Sequence, residues 1–86
     1  MQYMAHIAYS GDTDWKNEGE FVGKRGEQIE GFAIRLAGQE AGKFDVFYGA
    51  HLGGTGNTGT FTNGQFCGTR GQNRQVESIV VRVVPK

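Results

Sequence analysis

The sequence predicts an all-β domain of two tandem, Greek-key-like units in a β-prism-like arrangement, with a β-trefoil-like packing as the alternative. Three observations predict it. The first is an internal repeat: Tyr3-Met4-Ala5-His6-Ile7 returns as Tyr48-Gly49-Ala50-His51-Leu52, and Gly19 to Gly26 returns as Gly64 to Gly71, both at an offset of 45 residues. A repeat is one supersecondary unit that cannot bury its apolar face alone, so the stacking of copies decides the architecture. The second is punctuation: 15 glycines against one proline in 86 residues, which marks short strands joined by tight turns. The third is the closing run Glu77 to Val84, β-branched almost throughout and matched at an offset of 47 by Glu30 to Leu36. That match makes both segments strands rather than helices. Residues 1–86 form a single domain, with repeat one at 1–42 and repeat two at 43–86.

The elements follow in order. Tyr3 to Tyr9 alternates, with Tyr3, Ala5, Ile7 and Tyr9 on one face and Met4, His6 and Ala8 on the other, the period of a strand. Ser10-Gly11-Asp12 is a turn. Trp15 begins a second extended piece, and Asn17-Glu18-Gly19 turns again. Glu20-Phe21-Val22 is a short strand ended by Gly23. Phe32, Ile34 and Leu36 point inward from the next strand and Arg35 outward. Residues 37–42 join the copies, Lys43 to Leu52 opens copy two, and Gly53 to Gly59 is a glycine-rich loop. That loop lacks the Gly-Lys-Ser/Thr and following helix of a phosphate cradle. The expected core is Phe21, Phe66, Ile34, Leu36, Ile79, Val81 and Val83.

Composition bounds the function. Nine acidic and nine basic residues cancel, so no electrostatic footprint points to nucleic acid. No apolar run approaches the roughly 20 residues of a membrane span, so no membrane insertion is expected. No signal peptide opens the chain. Cys67 is the only cysteine, which excludes an intrachain disulfide and a cysteine zinc cluster. No metal site and no cofactor are expected. Two units with open strand edges predict a homo-oligomer.

The matched pairs are the candidate site residues. His6 and His51 recur without Cys or carboxylate at ligand spacing, so each ring is expected to bond backbone rather than metal. Glu30 and Glu77 are a carboxylate pair, but like environments in like units do not separate an acid from a base as glycoside hydrolysis requires. An enzyme is therefore not expected. Asp12, Asp14, Asn17, Asn57 and Asn63 lie in turns, where they suit both turn chemistry and the bracketing of sugar hydroxyls. Trp15, the only indole, is either a core anchor or a stacking platform.

The segments Tyr3-x-Ala5-His6-Ile7, Gly11, Trp15, Gly19-Glu20, Gly23-x-x-Gly26 and Glu30 to Leu36 resemble the clostridial hydrophobic W (ChW) repeat family. Phe44 to Tyr48, Ala50-His51, Gly56, Gly64-Gln65, Gly68-Thr69-x-Gly71-Gln72 and Val76-Glu77-x-Ile79 resemble it again. The first family tryptophan is Asp12 in copy one and Asn57 in copy two; the second is Trp15, then Thr60. The outline Gly23-x-x-Gly26-x-x-Ile29-Glu30 is similar to a strand pair of jacalin-type lectins, which places a sugar-binding carboxylate on Glu30. The resemblance implies a secreted or cell-surface setting in which the chain binds carbohydrate or a glycoconjugate. The expected ligand residues are Asp12, Asp14, Trp15, Asn17 and Glu30, with Asn57, Asn63 and Glu77 as their copies. A structural or protein–protein interaction module is the alternative.

Overall fold

A computed structural model describes residues 1–86. The chain is all-β apart from one helical turn, and it forms two sheets and no barrel. In the first half, β1 (Gln2–Ile7) carries two short strands along one edge, β2 (Gly11–Asp12) and β3 (Lys16–Asn17). Its other edge pairs antiparallel with β4 (Ile29–Arg35). The helical turn α1 (Gln39–Lys43) leads into the second half. There β5 (Phe44–Leu52) carries β6 (Gly56–Asn57) and β7 (Phe61–Thr62) on one edge and β9 (Val76–Pro85) on the other. The short β8 (Cys67–Gly68) belongs to the second half in sequence but pairs with β4 of the first.

The pairing registers of the two halves correspond. His6 faces Asp12 as His51 faces Asn57, and Gln2 faces Asn17 as Phe47 faces Thr62. Each long pair has a register break at the same place. His6 pairs with Gly31 and Ile7 with Ile29, so Glu30 is the extra residue of a bulge; Glu77 is its counterpart between Ser78 and Val76. A bulge re-aims a side chain and bends the strand. The turn chemistry matches as well. The Ala5 and Ala50 amides donate to the hydroxyls of Thr13 and Thr58, each at 3.1 Å. The Tyr3 and Tyr48 hydroxyls donate to the carbonyls of Glu20 and Gln65.

The core lies between the sheets. Ala5, Phe32 and Ile34 from the first meet Val46, Tyr48, Ala50, Leu52 and Cys67 from the second half. Phe32 and Tyr48 stack at a tilt, ring centroids 5.5 Å apart, a geometry that adds to plain area burial. Tyr48 is buried yet keeps its hydroxyl bonded at 2.6 Å, which removes the penalty of a buried unpaired polar group.

Several expectations are corrected. Of the expected core, Ile34 is buried, whereas Leu36 and Phe66 are half-buried. Phe21 is 99% exposed, and Ile79, Val81 and Val83 lie on the surface of β9. Emptying Ile34 to Ala is expected to cost about 2–4 kcal/mol, whereas the same change at Val81 removes little buried area. The first strand stops at Ile7, because Tyr9 takes a left-handed φ of 68° that no strand accommodates. Glu20-Phe21-Val22 is not a strand. Strands need a neighbouring edge, and the segment has none, whereas Cys67–Gly68 at the matching place finds β4. The join between the halves contains α1, which takes in Lys43 ahead of the strand expected to begin there.

Candidate functional site

The most organised polar cluster sits where the second half crosses onto the first. The β1–β2 pairing brings His6 beside Asp12, Nδ1 to Oδ1 at 2.7 Å. The β4 bulge turns Glu30 toward the other ring nitrogen, Oε1 to Nε2 at 3.4 Å. Glu30 is only 2% exposed and accepts the backbone N–H of Gly71 at 3.2 Å and of Asn73 at 2.7 Å. A buried carboxylate persists when it is hydrogen-bonded in this way. Arg70 arrives on the same loop and grips Asp12 with two bonds, 3.1 and 3.0 Å. It holds the Asp12 carboxyl below the usual carboxylate range, against an opposing cost of burial, with His6 adding to the lowering. Its guanidinium also lies 3.6 Å from the Phe66 ring centre.

The second half has the same constellation without the visiting loop. His51 Nδ1 meets Asn57 Oδ1 at 3.0 Å, and His51 Nε2 lies 3.7 Å from Glu77. Glu77 is exposed and accepts no backbone N–H of a crossing loop. An open hollow of about 310 Å³ occupies this place, bounded by His51, Asn57, Thr60, Ser78 and Val80. No group of three His, Cys, Asp or Glu side chains is arranged to hold a metal ion.

The residues expected to bind ligand are therefore dispersed. Asp12 and Glu30 share His6, but both are engaged by the crossing loop. Trp15 is half-buried and absent from the core cluster, with the Arg35 guanidinium 4.0 Å from its ring centre. Arg35 Nε donates to Gln2 Oε1 at 2.8 Å, and Gln2 Nε2 donates to Asn17 Oδ1 at 3.0 Å. Trp15 and Asn17 are thus the two ends of one strip. Asp14 is exposed, with its carbonyl accepting the Thr13 hydroxyl at 2.9 Å. Asn63 is spent on structure: it takes the Val46 amide at 3.0 Å and donates to Asp45 at 2.9 Å. Asn57 and Glu77 flank His51, away from the strip.

A second hollow escaped the sequence reading. About 470 Å³ opens at the boundary of the two halves, lined by Tyr9, Glu27, Gln28, Asn73 and Gln75 among others. Gln28 and Asn73 are fixed to each other at 2.6 Å. Tyr9 stands fully exposed at φ 68°, and its repeat counterpart Gly54 has φ 76°. The signal was present in the alignment of the two copies, where an aromatic residue stands opposite a glycine.

Residues 51–85 match the family model described as Clostridial hydrophobic W. The match spans β6 to β9 and the end of β5, and it supports the resemblance over the second half. No curated protein and no solved structure gave a match.

Proposed function

We propose that the chain is a non-catalytic module that binds carbohydrate or a surface glycoconjugate in an extracellular or cell-surface setting. Tyr9 is the observation that carries this reading. Its ring is fully exposed and its backbone sits in the left-handed region, which costs a bulky residue on the order of 1 kcal/mol. Glycine fills the matching position of the second half without that cost. An aromatic residue there, beside the carboxylate and amides of Glu27, Gln28, Asn73 and Gln75, supports a ligand contact: the ring covers the apolar face of a sugar and the polar groups bracket its hydroxyls. The reading of the architecture as two Greek-key-like repeats of a β-prism-like type belongs to the same proposal and is supported by the corresponding registers.

The test is titration calorimetry after a glycan array has chosen the ligand. Tyr9→Gly should weaken binding about tenfold, the equivalent of about 1.4 kcal/mol, while stability stays level or rises. Loss of binding with Trp15→Ala but not with Tyr9→Gly would move the site to the Trp15–Arg35–Gln2–Asn17 strip. A wild type silent across a broad array would leave a structural or protein–protein interaction module, which the exposed Ile79, Val80, Val81 and Val83 of β9 favour.

A further inference from the structure

The two halves are joined by a donated strand. The second half supplies Cys67–Gly68, which extends the sheet of the first half on the outer edge of β4, with Cys67 opposite Phe32 and Gly68 opposite Gly31. Around this pairing the Phe66 ring lies over Gly31, where a Cβ would overlap it, and Cys67 is fully buried. The Thr69 amide reaches the Glu30 carbonyl at 3.1 Å, and the Gly64 amide reaches that of Ile34 at 2.7 Å. Glu30 and Asp12 then fasten the loop that follows.

Both components of this joint occur once more, unused. The acceptor is β9, the counterpart of β4, which pairs with β5 and nothing else. Its Ile79, Val80, Val81 and Val83 are 58%, 67%, 40% and 47% exposed. The donor is Val22-Gly23, the counterpart of Cys67–Gly68. Gly23 already has φ 122°, against 127° at the paired Gly68. Before it stands Phe21, the counterpart of Phe66, 99% exposed; after it stands Arg25, the counterpart of Arg70, also exposed. Within one chain these two segments do not pair. They flank an apolar groove of about 430 Å³ whose walls include Val22, Ile29, Val76, Ile79 and Val81.

We infer that a second copy of this chain docks head to tail, its Val22-Gly23 pairing along the outer edge of β9 as Cys67–Gly68 pairs along β4. The incoming Phe21 occupies the hollow beside Ser78, Arg25 reaches Asn57, and Glu77 receives the amide of Gly26. The occupant is specified by the joint inside the chain, whose chemistry it reproduces. Two differences weaken it. Ser78 replaces Gly31, so its Cβ displaces the aromatic ring, and Asn57 replaces Asp12, so the arginine loses its carboxylate. The contact is therefore reversible and concentration-dependent. Each copy carries one donor and one acceptor, so two copies satisfy each other twice in a closed dimer, and larger rings obey the same rule.

Sedimentation velocity over the micromolar range tests this, with circular dichroism confirming that each variant is folded. Phe21→Asp disables the donor. Ile79→Pro disables the acceptor, because proline is tolerated on an edge strand but cannot pair there. Each variant alone should be monomeric where the wild type associates. Their equimolar mixture should restore a 1:1 pair, because each retains the component the other lacks. The double variant Asn57→Asp/Ser78→Gly should associate at least about tenfold more tightly than wild type. The inference is overturned if wild type and double variant are both monomers of 9.4 kDa throughout. It is equally overturned if Phe21→Asp alone associates as the wild type does, since a symmetric β9–β9 contact would then explain the association.

Discussion

Removing the carboxylate of Glu30 should be costly, and removing that of Glu77 nearly free, although the two residues are repeat counterparts on matching bulges. Glu30 is 2% exposed and receives two backbone N–H groups, at 3.2 and 2.7 Å, besides facing His6. A hydrogen bond to a charged group contributes about 1.5–3 kcal/mol, and Glu30 receives two. Glu30→Ala is thus expected to lose about 3–5 kcal/mol, in line with the breaking of other buried charged contacts. Glu30→Gln keeps one acceptor oxygen but sets an amide NH₂ against a backbone N–H, for about 2–3 kcal/mol. Glu77 has a side chain 55% exposed, with only His51 at 3.7 Å, and Glu77→Gln should stay within about 0.5 kcal/mol. Urea denaturation followed by circular dichroism reads all three, at dilutions where the chain is monomeric. Near-equal midpoints for Glu30→Gln and Glu77→Gln would refute the claim that the crossing loop is fastened by the buried carboxylate.

The ion pair of Asp12 with Arg70 sets an acid response. Asp12 titrates below the usual carboxylate range when folded, so its stabilisation is complete above the unfolded value and is lost as pH falls through the lower folded one. The stability gap between wild type and Asp12→Asn should accordingly narrow as pH falls below about 5, measured by denaturant midpoints; a constant gap would contradict the pairing. Burial pushes the Cys67 thiol up from its ordinary value, partly offset by the Thr58 hydroxyl at 3.4 Å. A chromogenic disulfide should react with native protein at least about 100-fold more slowly than with unfolded chain, and Glu30→Gln should accelerate the native reaction. Gly31→Ala places a Cβ against the Phe66 ring and should cost about 1–3 kcal/mol by overpacking, whereas Gly11→Ala meets no neighbouring atom and loses only the backbone preference at φ 91°.

The all-β class was legible because glycine punctuation and the β-branched closing run are local signals, and the recurrence of His6 with Glu30 as His51 with Glu77 survives in the registers. Where β8 would go was not legible. Cys67–Gly68 and Val22-Gly23 read alike, and only the position of a free neighbouring edge makes one a strand and leaves the other unpaired. The exposure of Ile79, Val81 and Val83 escaped for the same reason: alternation specifies which side chains share a face, not whether a second layer covers it. The expected ligand residues divided because turn asparagines and aspartates read alike whether they bind their own backbone, as Asn63 does, or face solvent, as Asp14 does. Trp15 is held by Arg35, a contact between residues far apart in sequence.

The donated strand β8 also determines what can fold. The first half has an unfinished edge and a carboxylate without donors until residues 66–73 arrive, and those residues are tethered to β5 and β9. The first half is therefore not an autonomous folding unit, and the second loses the Ala5, Phe32 and Ile34 side of its core without it. Cleavage in the exposed stretch Gln39 to Gly42 would leave two fragments that hold together by complementation, and separating them would unfold both in one step. Duplication in this chain is not redundancy, because the second copy completes the first, and each added copy would carry the incomplete edge one unit further along.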